Sequence, residues 1–291
     1  MKLACADFSF PLLPHEDSVR LVSMLGVEGI DVALMGNRSH LRPEAIRGDL
    51  GGTARLLDER VRGVGLEFAD MFVIPWSDFE TMAPNHPDAK VREDAAALFR
   101  DMLELTVAVG APGMTMLPGI DWPGESHEES LARSAQELGW RVEQARAAGV
   151  RFSIEPHVGS VVQAPAEAKR LVDMTPGLEL TLDLTHFVFQ GMAASEADVL
   201  VPHARHTHLR GAANGRLQTT LRANEIDYGR FVELLRASDY DGYAGIEYVW
   251  TPGEPPGGPY DLTNTDNVAE TILMRDLVRE RLREPSTAMT A

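Results

Sequence analysis

Cysteine is almost absent: Cys5 is the single one in 291 residues, so no internal disulfide is available. Set within the first apolar run, it reads as a small buried hydrophobe in a protein of a reducing compartment. No apolar run approaches the length that spans a bilayer, and KLACAD meets Asp7 too early for the apolar core of a secretory leader. A cytoplasmic protein with no membrane partner is therefore expected. Basic residues are scarce beside acidic ones, 27 Lys+Arg against 44 Asp+Glu, and the formal charge of −17 repels both nucleic acid and anionic membrane surfaces. No nucleic-acid partner is expected, although a local basic patch able to hold a small phosphate is compatible with that balance. The usual phosphate cradles are missing as well: no GxGxxG follows the first strand, and no Walker loop occurs.

What the chain does contain is a regular alternation. Strand candidates fall near residues 3–7, 28–33, 64–70, 113–117, 151–155, 179–183, 205–209 and 243–248. Between them lie stretches with helical spacing, such as VREDAAALFRDMLELTVAVG from 91 and SLARSAQELGWRVEQARAAG from 130, both closed by glycine. Eight strands alternating with helices predict an α/β chain folded as a (β/α)8 TIM barrel; an open doubly wound sheet competes but lacks its usual ligand loops. One domain over 1–284 is expected, with 285–291, PSTAMTA, as a flexible tail. The loops after the third, fourth and eighth strands are long, and the runs from helix into strand are short. Function is therefore expected at the C-terminal face. The loop holding Pro255, Pro256, Gly257 and Gly258 reads as a lid or as a turn-rich connector.

Four of the apolar runs, VRFSIEP, LELTLDLTHF, ARHTHLRG and YAGIEYVW, end on groups that are costly to bury bare: Glu155, Asp183, His208 and Glu247. Three carboxylates and one imidazole at the ends of four successive strands read as the ligands of one divalent metal ion. The oxygen-rich set favours Mn²⁺, with Mg²⁺, Co²⁺, Zn²⁺ and Fe²⁺ admitted by ligand type. Nearby residues carry open alternatives. His157 shares the parity of Glu155 and reads as a substrate contact or a loop histidine satisfied by backbone, and His206 as a support behind the ligands or part of the barrel interior. Asn85 and His86 read as turn formers or substrate contacts, and Arg210 as the partner of an anionic group or a surface residue. Phe8, Trp76, Trp122, Phe187 and Trp250 each fall just beyond a strand, where flat apolar faces either cover a sugar ring or pack loops on the rim.

The runs SIEPH, TLDLTHF, HTHLRGA, ANEIDYGRFVELL and GIEYVW, followed by NTDNVAETILMRD, resemble the xylose-isomerase-like TIM barrels, the sugar phosphate isomerase/epimerase superfamily. The resemblance spans the barrel and is most specific over 150–275. It implies that the two glutamates of a ketose 3-epimerase-like metal site, Glu155 and Glu247, also serve as acid and base on opposite faces of the substrate carbon. It implies in addition that His186 contacts the sugar. An arginine of the ketose epimerases falls here on Asn214, between Arg210 and Arg216.

The expected function is a divalent-metal-dependent sugar or sugar-derivative isomerase/epimerase, working by proton transfer next to a carbonyl through a metal-stabilised enediolate. The substrate-binding set is His186, His157, Arg210, Trp122, His86 and Phe8. A metal-dependent lyase, a dehydratase or keto-glycoside deglycosidase, uses the same enolate chemistry and is the alternative. An apurinic-site endonuclease would need a basic face and more ligands, and a barrel that binds a carbohydrate without turnover is the non-enzyme reading. The resemblance leaves a dimer or tetramer open beside the monomer.

Overall fold

The computed structural model describes residues 1–36, 39–76, 78–250, 262 and 264–284. The expected tail at 285–291 and the loop with Pro255, Pro256, Gly257 and Gly258 lie outside the described residues.

Ten strands are described: β1 (Lys2–Ala6), β2 (Gly29–Met35), β3 (Glu67–Ile74), β4 (Gly113–Met116), β5 (Arg151–Ile154), β6 (Glu179–Asp183), β7 (Ala204–Leu209), β8 (Gly211–Ala213), β9 (Arg216–Thr219) and β10 (Tyr243–Ile246). Eight of them close a barrel in the order β1-β10-β7-β6-β5-β4-β3-β2, with every pairing parallel. This is the expected (β/α)8 TIM barrel in a single domain. The remaining pair, β8 and β9, forms an antiparallel hairpin between β7 and β10 that the sequence reading did not anticipate. Its turn is Asn214-Gly215, with Gly215 at φ +70, a dipeptide suited to a tight hairpin.

The two long helices form where their spacing predicts, over Ala89–Val109 and His127–Ala147. Asp88 caps the first, and Ser126 with Glu129 forms a capping box on the second. Gly110, at φ 69, closes the first helix in the left-handed conformation that glycine adopts without penalty. The third strand differs most from expectation, running to Ile74 rather than stopping at residue 70. Asp70 therefore lies inside the strand, and the barrel interior neutralises its charge. Arg205 Nη2 donates to Asp70 Oδ1 at 2.7 Å and to Ser153 Oγ at 2.7 Å, while Thr115 donates to the other Asp70 oxygen. Thr181 joins them through Ser153 and Thr115. A buried polar layer thus fills the barrel below the C-terminal face, and the apolar core lies between strands and helices.

Candidate active site

Glu155, Asp183, His208 and Glu247 converge because their strands are neighbours. Asp183 pairs in register with His208 across β6 and β7. Glu155 extends β5 by donating its N–H to Met116 O at 3.0 Å, and Glu247 extends β10 by donating to Leu209 O at 3.0 Å. All four are buried, and one donor atom from each lies within 4.8 Å of the other three. His208 Nδ1 is 2.7 Å from Glu155 Oε1 and 3.1 Å from Glu247 Oε2, an oxygen with no hydrogen-bond partner among the described residues. Asp183 accepts from the Thr185 N–H at 2.8 Å and from Arg210 Nη2 at 3.0 Å. Three desolvated carboxylates around one imidazole, with one oxygen left without a donor, form a set that could hold a divalent cation.

The environment drives the two glutamates apart. Burial pushes the Glu155 carboxyl up to about 7, against the pull of His208. Burial also acts on Glu247, but the His208 and Arg210 charges outweigh it and bring that carboxyl down to about 2. His208 is held well above the ordinary histidine value: burial opposes its charge, yet the adjoining Glu247 and Glu155 prevail. His186 moves the other way, well below, through burial and the nearby His157 and Arg210. Burial raises Asp183 despite the neighbouring Arg210. The two carboxyls are thereby separated in proton affinity, Glu155 above its ordinary value and Glu247 below it, which suits a pair in which one gives a proton and the other takes.

The two glutamates open into a cavity of about 530 Å³. Glu155, His157, Arg210, Glu247 and Phe8 line it, joined by apolar walls from Met35, Phe72, Trp76 and Phe79. Asp183, His208 and His186 are buried and are not among its lining residues. His186 stacks on His157 with ring centres 3.8 Å apart, and its Nε2 lies 3.3 Å from Arg210 Nη2. Arg210 is buried rather than superficial, whereas Asn214 and Arg216 sit exposed at the β8–β9 turn.

Other expected residues fall elsewhere. Trp122 and His86 pack edge-on, 4.4 Å between ring centres, and neither lines the cavity. Trp122 Nε1 donates to Asn85 Oδ1 at 3.1 Å, and Asn85 also binds both backbone groups of Ile120. Asn85 and its neighbours thus tie the loops after β3 and β4 together. Phe187 is core, and Trp250 borders a separate hollow beside Phe10 and Leu12. His206 Nε2 lies 3.1 Å from Asp31 Oδ2, which is in turn 3.9 Å from His208 Nε2. Asp31 escaped the sequence reading, although it interrupts the apolar run GIDVALM just as the four rim residues interrupt theirs.

Known proteins share this architecture. A family model described as xylose isomerase-like TIM barrel matches residues 19–271. A curated inosose dehydratase of Clostridium perfringens is 23% identical over 226 residues, covering 67% of this chain and 75% of its own. The solved D-psicose 3-epimerase of Clostridium cellulolyticum H10, crystallised with D-tagatose, superimposes with a TM-score of 0.77 at 15% identity, over 97% of this chain and 99% of its own. The IOLI protein, solved with a bound zinc atom, gives 0.72 at 16% identity over 99% and 100%.

Proposed function

Because this chain belongs to the xylose isomerase-like TIM barrel family, we propose that it is a divalent-metal-dependent isomerase or epimerase of a sugar or sugar derivative, moving a proton on the carbon beside a carbonyl. The observation that carries the reading is the pair of buried glutamates that line one cavity and both touch His208, with Asp183 close enough to join them in one ligand set.

Glu155, Asp183, His208 and Glu247 would hold the ion, with Mn²⁺ favoured among Mn²⁺, Mg²⁺, Co²⁺, Zn²⁺ and Fe²⁺. Once bound, such a cation supplies Lewis-acid stabilisation of the negative charge that develops on a carbonyl oxygen. Glu247 would take the proton from the substrate carbon onto a carboxylate oxygen, and Glu155 would deliver one to complete the transfer. Delivery to the same carbon from the other face inverts it, and delivery to the neighbouring carbon moves the carbonyl. Arg210 fixes Asp183 and reaches toward Glu247 at 3.8 Å, so it orients the carboxylates and presents an edge to the cavity. His157 lies on the same wall, stacked on His186, and is suited to hydrogen-bond a substrate hydroxyl. Phe8, with Trp76 and Phe79, offers apolar faces to the C–H side of a carbohydrate.

A lyase is the second reading, favoured by the similarity to an inosose dehydratase. The same proton removal followed by departure of a β-hydroxyl needs no further residue if Glu155, as general acid, supplies the leaving group's proton. Metal-loaded protein incubated with ketohexoses and with inososes in D₂O separates the two. Deuterium at the carbon beside the carbonyl together with a new epimer supports the first reading, and loss of water supports the second. No exchange and no product with either class, in protein shown to contain metal, would overturn both.

A further inference from the structure

A second cluster of potential ligands lies apart from the quartet, where the loops after β1 and β2 meet. Asp7 follows β1, His15 opens the helix His15–Met24, and His40 lies on the chain beyond β2. One donor atom from each lies within 4.8 Å of the others. Asp7 and His15 are buried and His40 partly so. Asp7 Oδ2, His15 Nε2 and His40 Nδ1 are all buried atoms without a hydrogen-bond partner among the described residues, although the first two are 3.3 Å apart. Asp7 Oδ2 and His15 Nε2 meet only as a long pair and His40 Nδ1 has no donor among the described residues, a costly arrangement for a folded chain to keep.

The partners of the other atoms are informative. His40 Nε2 donates to Leu13 O at 3.0 Å, so the neutral ring carries its proton there and leaves a bare lone pair on Nδ1. Asp7 Oδ1 accepts from the Ala33 N–H at 3.1 Å, which fixes the carboxylate and leaves Oδ2 free to face the two rings. Arg60 Nη1 lies 3.0 Å from His15 Nδ1, donating to it when the ring proton is on Nε2. An ion on Nε2 requires that proton on Nδ1 instead, and so requires the Arg60 guanidinium to leave Nδ1.

We propose that Asp7, His15 and His40 form a second metal site, distinct from the quartet, for a borderline divalent transition ion such as Zn²⁺. Two imidazoles and one carboxylate select that class over Mg²⁺ or Ca²⁺, and three protein ligands leave a position for water or an anion. The ion braces the cavity wall: Ser39, next to His40, bonds both backbone groups of Met35, which lines the cavity.

The test uses the full chain carrying Asp183→Asn and Glu247→Gln, which disables the quartet and makes the result independent of the function proposed above. Chelator-stripped protein is titrated with Zn²⁺ by calorimetry and by thermal shift. One equivalent should bind and raise the Tm, and His40→Gln should weaken that binding at least about tenfold. Because His40 is partly exposed, its replacement spares the core; His15→Gln should act alike wherever it folds. Absence of a Zn²⁺ equivalent in the doubly substituted protein, or an equivalent unaffected by His40→Gln, would overturn the proposal.

Discussion

At the scale of single residues, the site depends on how much each neighbour charges or neutralises the next. Glu247→Gln keeps the shape of the side chain but removes a carboxylate that His208 and Arg210 hold ionised. It should leave circular dichroism and Tm near those of the native protein and lower kcat by about 10²–10⁴-fold. Asp183→Asn should reduce metal affinity by at least about tenfold in equilibrium dialysis, with the fold retained at lower stability, since buried Arg210 loses one carboxylate but keeps Glu247 at 3.8 Å. Protons compete with metal here, because Glu155 is raised to about 7 and His208 well above its ordinary value. Both groups bind protons in the stripped protein that an ion must displace, so affinity should fall as pH drops through 7. Adding metal at pH 6 should release at least about one proton per ion, measured with an indicator in weak buffer. The convergence of the four positions was legible in the sequence, because a charge that ends an apolar run is costly to bury without a partner. The same logic reaches Asp31, but the identity of its partner, His206, is a matter of tertiary contact.

At the scale of elements, the loops over the barrel mouth are held by specific side-chain clamps. Gly119 has φ +97, and a Cβ there would run into the Asn85 amide that joins the loops after β3 and β4. Gly119→Ala should therefore cost about 1–3 kcal/mol in urea unfolding. Asn85, His86 and Trp122 were weighed in the sequence as substrate contacts or turn formers, and no pattern along the chain separates the two. The distinction lies in a contact across 37 residues, Trp122 to Asn85, which local spacing does not encode. The β8–β9 hairpin shows the opposite case. Its Asn-Gly turn is a strong local signal, and its strands are too short to stand out beside β7.

At the scale of the whole molecule, the barrel is closed around a buried polar layer, and β3 runs through it past the expected end at residue 70. Asp70 is buried, which pushes its carboxyl up, yet the Arg205 and His206 charges and its hydrogen bonds leave it below the usual carboxylate range. Its stabilising contribution is complete above the unfolded carboxyl value, about 3.9, and is lost as pH falls through the lower folded value. Asp70→Asn leaves Arg205 buried without its counter-charge and should cost about 3–5 kcal/mol at neutral pH. Chemical denaturation at descending pH should show the gap between native and variant protein closing below about pH 4. Within the described residues no helix is long and apolar enough to cross a membrane, in keeping with the short apolar runs of the sequence.

The periodicity of apolar residues and the eight strand-helix repeats were sufficient by themselves to specify the parallel barrel, because burial repeats every second residue in a strand and every three to four in a helix. The same local rule exposed Glu155, Asp183, His208 and Glu247 as charges out of place at successive strand ends. Only the closed barrel decided which distant residues meet. It set Arg210 against Asp183, Asp31 beside His206, Arg205 onto Asp70, and the Asp7, His15 and His40 side chains together. Those pairings join segments far apart in the chain, and the side chain that neutralises a buried charge is fixed by distance in three dimensions, which one-dimensional spacing does not carry.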